Sequence, residues 1–482
     1  MIAVARSSAV AAAIMAGFML VAAIVALFRG EAGGGVFLAS GVMTIFGAGA
    51  VYLAVRHRPA RLDRLAAFTL LAVLWTGIPI LAAIPVAATT SLTPMGAWME
   101  AVSAFTTTGP VSLHEIDGVP RGTLAWLLTL QWGGGLLTLV GFVAVLGPAG
   151  IGGLPDRSAR AALLGVSETT ALDDALRLVV PIYLGATVIG TLLMFAAGER
   201  LFDAVGLAGA ALATGGLLPD ADGMAAHGNS TVKLIFIVLM LVGATSVLWH
   251  RLLLTRRFRL ALGQQENIVL FLMAIALGIT AAAIDYNSAG SPLFLPFALE
   301  DGLFTAVSLI TTTGVEPHGG AFASLPVALV AGVVFVGGAS FSTAGGIKIY
   351  RAGIMALQGY LELERLIHPN AVRPRRLGQQ QITLQMMKAI WIMFGVACTT
   401  IAAVMILLAP AMPSFEAAFM AALTALCNIG PVYGAGWEAS SAWPDWSTLP
   451  AYAQIVLIIS MTMGRLEILL ILALANFAFW RR

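Results

Sequence analysis

Long apolar runs separated by short polar loops make up most of the chain. Ten of these runs hold about 20 mostly apolar residues, the length that an α-helix needs to cross the hydrocarbon core of a bilayer. They lie at 8–28, 35–55, 66–88, 123–147, 176–197, 231–253, 268–286, 325–350, 385–410 and 449–479. The pattern predicts an all-α integral membrane protein with about ten transmembrane helices.

Four shorter apolar segments do not fit this set, and they lie at 97–108, 203–214, 301–313 and 415–428. Each holds about a dozen residues, which is short for a span and typical of a re-entrant helix. Each lies between two full spans and is followed by a turn that contains a glycine. After the first two spans, the order of span, short helix, glycine turn and span therefore occurs four times.

This order predicts how the chain is divided. Residues 1–64 hold two additional spans, and residues 357–384 form a cytoplasmic linker. The four pore repeats are predicted at 65–150, 151–260, 261–356 and 385–482. The inner helix of the third repeat is expected to be interrupted, because its apolar run contains glycine pairs.

Composition supports a chain that lies in lipid. Hydrophobic residues make up 59% and charged residues 10% of the chain, whereas a soluble domain has about 25% charged residues. The first apolar stretch is longer than the core of a signal peptide, so we interpret it as a retained span. The two cysteines, Cys398 and Cys427, both lie in apolar surroundings and are expected to be free, buried thiols.

Basic residues are concentrated in alternate loops, which predicts the orientation because such loops stay in the cytoplasm. With both termini cytoplasmic, 19 of the 26 basic residues fall on the cytoplasmic side. They are Arg6, Arg56, Arg58, Arg61, Arg64, Arg157, Arg160, Arg177, Arg251, Arg256, Arg257, Arg259, Arg351, Arg365, Arg373, Arg375, Arg376, Arg481 and Arg482. The opposite side carries more acidic than basic residues, which predicts a negative outer vestibule that concentrates cations.

The four glycine turns suggest the chemistry. They read FTTTGP (105–110), LATGGL (212–217), ITTTGV (310–315) and CNIGPV (427–432). The four turns share a glycine, which is Gly109, Gly215, Gly314 or Gly430. Six positions before each lies a small or hydroxylic residue, and these are Ser103, Gly209, Ser308 and Thr424.

Non-helical backbone is tolerated at membrane depth only where it is buried in protein or lines a watery cavity. Four such turns around one axis would satisfy this condition, and their carbonyl oxygens could replace the hydration shell of a cation. Ordinary turns between helices are the alternative, which four turns in equivalent positions disfavour. We therefore predict four pseudo-repeated units of span, re-entrant pore helix, filter loop and span around one central ion pore. The residues predicted to bind the ion, mostly through backbone carbonyls, are Thr107, Thr108, Gly109, Ala213, Thr214, Gly215, Thr312, Thr313, Gly314, Asn428, Ile429 and Gly430.

These turns, together with GGASFSTAGGIKIYR (337–351) and MGRLEILLI (463–471), resemble the Trk/Ktr/HKT superfamily of potassium transporters. The resemblance covers essentially the whole chain, and the two additional spans are similar to the bacterial Trk-type pore subunit. It implies that potassium is the transported substrate in the bacterial cytoplasmic (inner) membrane. It also implies a homodimer with one pore per subunit and a separate cytosolic nucleotide-binding ring protein that regulates the pore.

Some positions depart from the family pattern. Ala213 and Leu218 stand where relatives carry hydroxyl groups, and Cys427 stands where relatives often have Asn. Backbone carbonyls are unaffected by such changes. Glycine at all four filter positions favours potassium, with sodium less excluded than in a true channel.

Two features are predicted to gate the pore. Arg465 lies near the middle of the last span, where a charge is costly and usually functional, and we expect it to face the pore beneath the filter. The alternative is an ion pair with another repeat; Glu467, two residues away, faces elsewhere on the helix and is not the expected partner.

The second feature is the segment 337–348, whose glycine pairs and hydroxyls interrupt the eighth span. We expect a gate loop below the filter, with Gly345 and Gly346 as hinges and Lys348 adding positive charge. A packing kink is the alternative.

Other functions find little support. The six histidines lie in loops or at span ends without HExxH spacing, so an intramembrane enzyme is not expected. No glycine-rich nucleotide fingerprint is present, so the chain is expected to carry no organic cofactor, and membrane lipid rather than nucleic acid surrounds it. The cytoplasmic segments 154–175 and 358–381 are either docking sites for a regulator or plain linkers. A symporter that couples potassium to sodium or protons stays open as the alternative to a passive conduit, although Glu467 is the one clear carboxylate deep in a span.

Overall fold

The computed structural model describes residues 1–58, 62–111, 118–153, 172–220, 222–288, 295–369, 376–377, 380–437 and 443–470. The described part is helical except for an antiparallel pair of two-residue strands, Arg376–Leu377 and Gln380–Gln381. Seven of its helices are long and apolar enough to cross a membrane, and they are Ile2–Phe28, Gly34–Val55, Arg64–Thr89, Arg121–Leu146, Leu172–Ala196, Gln265–Tyr286 and Leu384–Ala411. All-helical membrane architecture is thus confirmed for these residues.

Three of the ten predicted spans are not continuous helices. The predicted span 231–253 is a pair of helices, Ser230–Ala244 and Val247–Leu254, bent by 103°. The span 325–350 begins as the helix Val327–Val336 and resumes as Ile349–Ile367, with the expected interruption between them. The last span is helical over Ala451–Leu466 and turns at Glu467, whose φ is 61°.

The four short segments form the expected short helices. We name them pore helices 1 to 4, and their bounds are Pro94–Phe105, Leu201–Ala213, Leu295–Ile310 and Phe415–Cys427. Two have well-made N-termini, because Thr93 and Ser414 accept hydrogen bonds from the N–H groups of Gly96 and Ala417.

Each pore helix packs between the long helix before it and the helix after it. The helices that follow pore helices 1 to 4 are named inner helices 1 to 4. They are Arg121–Gly141, Ser230–Ala244, Val327–Val336 and Ala451–Leu466. Inner helix 1 continues as a π-helix, Phe142–Leu146. All four inner helices thus lose regular α-helical form in their last turns or just beyond, which permits close contact beneath the pore helices.

The first two helices form a hairpin that packs against inner helix 1. Glu31, in the turn of the hairpin, accepts hydrogen bonds of 2.8 and 2.9 Å from the N–H groups of Arg121 and Gly122. These contacts cap the start of inner helix 1, where backbone N–H groups lack helical partners.

One expectation about the cysteines is wrong. Cys427 is buried at the end of pore helix 4, but Cys398 is exposed on the surface of Leu384–Leu408. The surface of a spanning helix faces lipid, so an apolar sequence around a cysteine did not distinguish lipid exposure from burial in protein.

Candidate functional site

The turns after the four pore helices share one backbone geometry. Each contains one non-glycine residue with a left-handed backbone, and these are Thr107, Thr214, Thr312 and Asn428, with φ of 54°, 50°, 56° and 55°. Left-handed residues other than glycine are uncommon. In each turn the next residue donates its N–H to the carbonyl five positions back, at 2.8 to 3.0 Å. The four turns are therefore equivalent at the left-handed residue and at the residue after it.

This geometry corrects the register of the second turn. In the first, third and fourth turns, the left-handed residue lies two positions before the glycine predicted from spacing, which is Gly109, Gly314 or Gly430. In the second turn, the glycine two positions after the left-handed residue is Gly216. Gly216, rather than Gly215, is the counterpart of the other three glycines, and Ala210 rather than Gly209 is the counterpart of Ser103. Spacing could not choose between two adjacent glycines. We name the four turns walls 1 to 4, at 106–109, 213–216, 311–314 and 427–430.

The walls meet in a closed order. A Cβ atom added at Gly109 would lie 3.2 Å from the Cα of Gly216, and one added at Gly216 would lie 3.0 Å from the carbonyl oxygen of Thr313. One added at Gly314 would lie 2.9 Å from Ile429. Wall 4 returns to wall 1, because Gly430 N–H donates to the Thr108 carbonyl at 2.8 Å. The structure thus brings the predicted ion-binding turns together.

Pro431 was not predicted as part of this site. Its ring lies 2.9, 2.8 and 3.3 Å from the Cβ positions of Gly109, Gly216 and Gly314. Wall 4 therefore places a proline ring against the glycines of the three other walls. A side chain at any of these glycines would collide with the ring or crowd it.

The hydroxyl groups of walls 1 and 3 bind one another. Thr106 and Thr108 are joined by a 2.8 Å hydrogen bond, and Thr311 and Thr313 by one of 2.7 Å. All of these side chains are fully buried. The first and third threonines thus brace each TTTG turn from within. Walls 2 and 4 cannot form this bond, because Ala213 and Cys427 stand at the first position.

The segment 337–348, named the gate loop, lies directly against the pore-helix ends. Gly345 N–H donates to Thr312 Oγ1 at 2.6 Å, and Thr343 Oγ1 donates to the carbonyl of Leu212 at 3.0 Å. A Cβ atom on Gly345 would lie 1.9 Å from the carbonyl oxygen of Cys427. Gly346 has a φ of 75°, which suits glycine. The loop therefore contacts walls 3 and 4 and the end of pore helix 2.

Arg465 lies between wall 1 and the gate loop and is almost completely buried. Its Nε donates to the Thr106 carbonyl at 2.6 Å, and its two terminal nitrogens donate to Thr107 Oγ1 and the Thr343 carbonyl. These partners are neutral oxygens, so none of them balances a positive charge on the guanidinium. The alternative of an ion pair with another repeat is not what these contacts show.

Lys348 points back into its own loop. Its Nζ donates to the Ala344 carbonyl and lies 5.2 Å from the centre of the Phe142 ring. The side chain is buried. Lys348 therefore braces the gate loop from within.

Arg351, which the sequence analysis counted among the basic residues of the cytoplasmic side, is buried in the protein. It is 1% exposed and forms a 3.0 Å ion pair with Glu467. Its Nε also donates to the carbonyl of Gly152 at 2.9 Å. Glu467 thus has a basic partner from another repeat, which sequence spacing along one helix could not reveal.

The sequence analysis did not predict Glu266 as a residue of this site. It lies in the first turn of Gln265–Ser288, and one carboxylate oxygen accepts hydrogen bonds from Ser340 N–H at 2.5 Å and Tyr350 N–H at 3.2 Å. One carboxylate therefore contacts the gate loop and the helix that follows it. Its position at a helix start reads as an ordinary N-terminal acid, so no sequence signal distinguished it.

A cleft lies on the gate-loop side of the walls. Its lining includes Thr138, Phe142, Gly345, Cys427, Arg465 and Ile468. The predicted gating residues thus border both the walls and this cleft.

The far ends of the pore helices carry charged contacts. His227 places its two ring nitrogens 2.8 Å from Glu199 and 3.2 Å from Asp220, and Lys233 lies 2.8 Å from Asp301. Burial, followed by the nearby Asp220, raises the pKa of the Asp203 carboxyl above its ordinary value. Acidic residues thus contact basic ones beside pore helices 2 and 3.

The chain is similar in sequence and in fold to known proteins. A family model described as TrkH, cation transport protein, matches residues 33–478. The Trk system potassium uptake protein TrkH of Escherichia coli (strain K12) is 28% identical, with 97% of each chain covered. The TrkH protein of Vibrio parahaemolyticus serotype O3:K6 is 29% identical over 96% of each chain. The crystal structure of the potassium transporter TrkH from Vibrio parahaemolyticus matches with a TM-score of 0.85 and 25% identity, covering 100% of this chain and 99% of that one.

The family model spans most of the chain, and the fold likeness covers all of it. The family is one of transporters, which agrees with the expectation that the protein is not an enzyme. The resemblance that the glycine turns indicated is confirmed: the chain belongs to the TrkH family of cation transport proteins.

Proposed function

We propose that this protein takes up potassium ions across the bacterial cytoplasmic membrane through a filter formed by walls 1 to 4. The observation that carries the proposal is the set of four equivalent left-handed turns that meet in a closed order. Relatives covering nearly the whole chain are named as potassium uptake proteins, which supports potassium as the substrate.

The filter works through backbone carbonyls from four pseudo-repeated units around one pore. Carbonyl rings replace the hydration shell of a cation without the tight binding of a charged ring. Pore helices aim their C-terminal ends at the walls, which adds partial negative charge there. The ion-binding residues that we propose are those predicted from the sequence, with Gly216 added to Thr214 and Gly215 in wall 2.

In the proposed mechanism the gate loop and Arg465 control passage beneath the filter. The loop closes the path by docking on Thr312 and Cys427, and its release opens the cleft to the filter. The guanidinium of Arg465 repels a cation in the lowest position and keeps ion occupancy low there. Gly345 and Gly346 act as hinges because neither position tolerates a side chain when the loop is docked.

We further propose a homodimer with both termini in the cytoplasm and a separate cytosolic nucleotide-binding regulator. The relatives are named as proteins of a Trk system, which fits a transporter with further components. The segment 358–381, part of which lies outside the described residues, remains a candidate docking site for the regulator. The segment 154–175 lies almost entirely outside them.

Ion flux into proteoliposomes that contain the purified protein tests the proposal. Reversal potentials measured under potassium and sodium gradients should follow the potassium gradient and stay unchanged between two pH values. A reversal potential that follows the proton or sodium gradient would instead establish the symporter. No flux of either ion under any gradient, from folded protein, would exclude a conduit that works without its regulator.

The gate is tested by Gly345→Ala. The added methyl group cannot occupy a position 1.9 Å from the Cys427 carbonyl, so the loop should fail to dock and potassium flux should rise about tenfold. Gly332→Ala is the matched control, because nothing lies within 4 Å of that position. Equal flux from the two variants would contradict the role of the loop.

A further inference from the structure

Gln131 lies in the middle of inner helix 1, is fully buried, and binds the backbone of the loop just beyond wall 2. Its Nε2 donates to the Leu217 carbonyl at 3.0 Å, and its Oε1 accepts from the Leu217 N–H at 3.0 Å. The backbone N–H and C=O of Leu217 are therefore both satisfied by the side-chain amide of Gln131, which belongs to a different repeat. Neither the motifs nor the repeat pattern pointed to this residue.

We name the two hydrogen bonds between Gln131 and Leu217 the clamp. The residues that follow the four wall glycines explain why wall 2 needs it. In walls 1 and 4 this residue is Pro110 or Pro431, which has no N–H. In walls 2 and 3 it is Leu217 or Val315, and a buried N–H requires an acceptor. Val315 N–H donates to Ser308 Oγ of its own pore helix at 2.8 Å.

Wall 2 lacks that serine. The counterpart of Ser308 in pore helix 2 is Ala210, which carries no hydroxyl. The Leu217 N–H therefore finds its acceptor in Gln131 of the neighbouring repeat. One buried N–H is thus satisfied in two different ways in walls 2 and 3.

Gly215 is the second half of the same arrangement. Its φ is not left-handed, so the backbone does not require glycine there. A Cβ atom at Gly215 would lie 2.4 Å from the Oε1 and Cδ of Gln131. The other walls carry Thr108, Thr313 and Ile429 at this position. The second glycine of wall 2 therefore makes room for the clamp.

The clamp also sets the direction of a carbonyl. In a planar trans peptide, the C=O of one residue and the N–H of the next point in opposite directions. Because the Leu217 N–H points at Gln131, the Gly216 carbonyl points away from Gln131. The position of the amide behind the wall therefore orients the wall carbonyl at its outermost glycine.

We infer that Gln131 is a specificity-positioning residue that holds wall 2 in register and orients its Gly216 carbonyl for potassium over sodium. This inference rests on the proposed function, because it assumes that the walls select the ion. Gln131 acts through the backbone of wall 2 and does not itself contact the ion.

Gln131→Met tests the inference, since methionine has a similar size and shape but cannot hydrogen-bond to Leu217. Reversal potentials in proteoliposomes should show a potassium-to-sodium permeability ratio about tenfold below wild type, as expected when a buried donor loses its partner. Gln454→Met is the matched control, because Gln454 is also a buried glutamine whose amide binds two carbonyls, those of Ser447 and Leu449. The control should keep the wild-type ratio.

Rescue separates positioning from general stability. Ala210→Ser restores in wall 2 the hydroxyl that Ser308 supplies in wall 3, so Gln131→Met with Ala210→Ser should regain most of the lost selectivity. Gln131→Glu is a second variant: a protonated carboxyl can both donate to and accept from Leu217, whereas a carboxylate can only accept. Its permeability ratio should therefore fall as pH rises, while the wild-type ratio stays constant.

The outcomes are distinguishable. Wild-type flux that does not discriminate potassium from sodium overturns the proposed function and the inference with it. Selective wild-type protein, together with unchanged selectivity in Gln131→Met, overturns the inference alone. Should Gln131→Met not fold, a pH-independent ratio in Gln131→Glu overturns it as well.

Discussion

Walls 1 and 3 carry the same four residues, Thr-Thr-Thr-Gly, and each follows a pore helix with a serine six positions before the glycine. The two serines nevertheless do opposite things. Ser103 Oγ donates to the Gly109 carbonyl at 2.5 Å, whereas Ser308 Oγ accepts from the Val315 N–H at 2.8 Å.

The residue after the glycine explains the difference. Pro110 removes the N–H that its counterpart Val315 provides, so Ser103 has no donor to accept from and turns to the carbonyl. In wall 1 the Gly109 and Thr108 carbonyls are both bonded to protein donors, Ser103 and Gly430. Identical motifs therefore form walls with different carbonyl orientations, and a repeated phrase does not guarantee a repeated function at every atom.

The largest effect is expected from Gly314→Ala in wall 3. Gly314 has a φ of 75°, and an added Cβ would lie 2.9 Å from Ile429. Strain of about 1–3 kcal/mol at such a position should reduce potassium selectivity by tenfold or more, measured as the permeability ratio in proteoliposomes.

Gly430→Ala in wall 4 provides the contrast, because its φ is not left-handed and its nearest neighbour is a Thr108 methyl group at 3.1 Å. We expect a smaller loss there. Equal losses at the two glycines would show that crowding rather than backbone conformation decides.

The second prediction separates the two serines. Ser308→Ala leaves the buried Val315 N–H without its acceptor, which costs about 1–3 kcal/mol. Ser103→Ala removes a donor from a carbonyl, whose lone pairs accept other donors, so its cost should be lower. Thermal unfolding of the purified variants in detergent measures the difference.

We expect Ser308→Ala to have a lower melting temperature than Ser103→Ala. Ser308→Ala combined with Val315→Pro removes the acceptor and the N–H together and should recover part of the loss. A double variant that melts below Ser308→Ala would contradict this account of wall 3.

The smallest effect concerns pH at the outer end of wall 3. Burial raises the pKa of the Glu316 carboxyl above its ordinary value, and the hydrogen bonds that it accepts from Phe322 and Gly320 only partly offset the shift. The carboxylate therefore takes up a proton at a higher pH than an exposed glutamate, and the outer end of wall 3 loses a negative charge as external pH falls through that raised pKa.

Potassium uptake at low potassium concentration should accordingly decrease by about twofold on external acidification. Glu316→Gln should show the lower uptake at all pH values and lose this part of the pH dependence. A pH profile identical to that of the wild type would exclude Glu316 as its source.

Much of the architecture could be predicted from the apolar pattern, because the bilayer imposes helix length and internal hydrogen bonding on any chain within it. The four short helices and the interruption after Val336 follow the predictions, and the position of Arg465 facing the pore stays a prediction. The number of continuous helical spans differs from the prediction, since the bend between Ala244 and Val247 and the turn at Glu467 occur within runs that are mostly apolar.

Three features of the site could not be read from spacing along the chain. The register of wall 2 was decided by left-handed geometry at Thr214, which spacing between two adjacent glycines could not indicate. The Arg351–Glu467 ion pair joins residues 116 positions apart. The clamp by Gln131 crosses from one repeat to the next, so no pattern within a repeat contains it.

The sequence by itself predicted that this chain crosses a membrane and carries four short apolar segments, each followed by a glycine turn, and its motifs resembled those of a transporter family. The first two predictions depend on local composition and periodicity, which the bilayer converts directly into helices, whereas the family was recognised from particular motifs. Only the tertiary structure decided which glycines are equivalent, where each serine points and how Gln131 supports wall 2. A buried N–H or carbonyl must find a partner wherever the fold places one, and that partner is defined by proximity in space rather than along the chain.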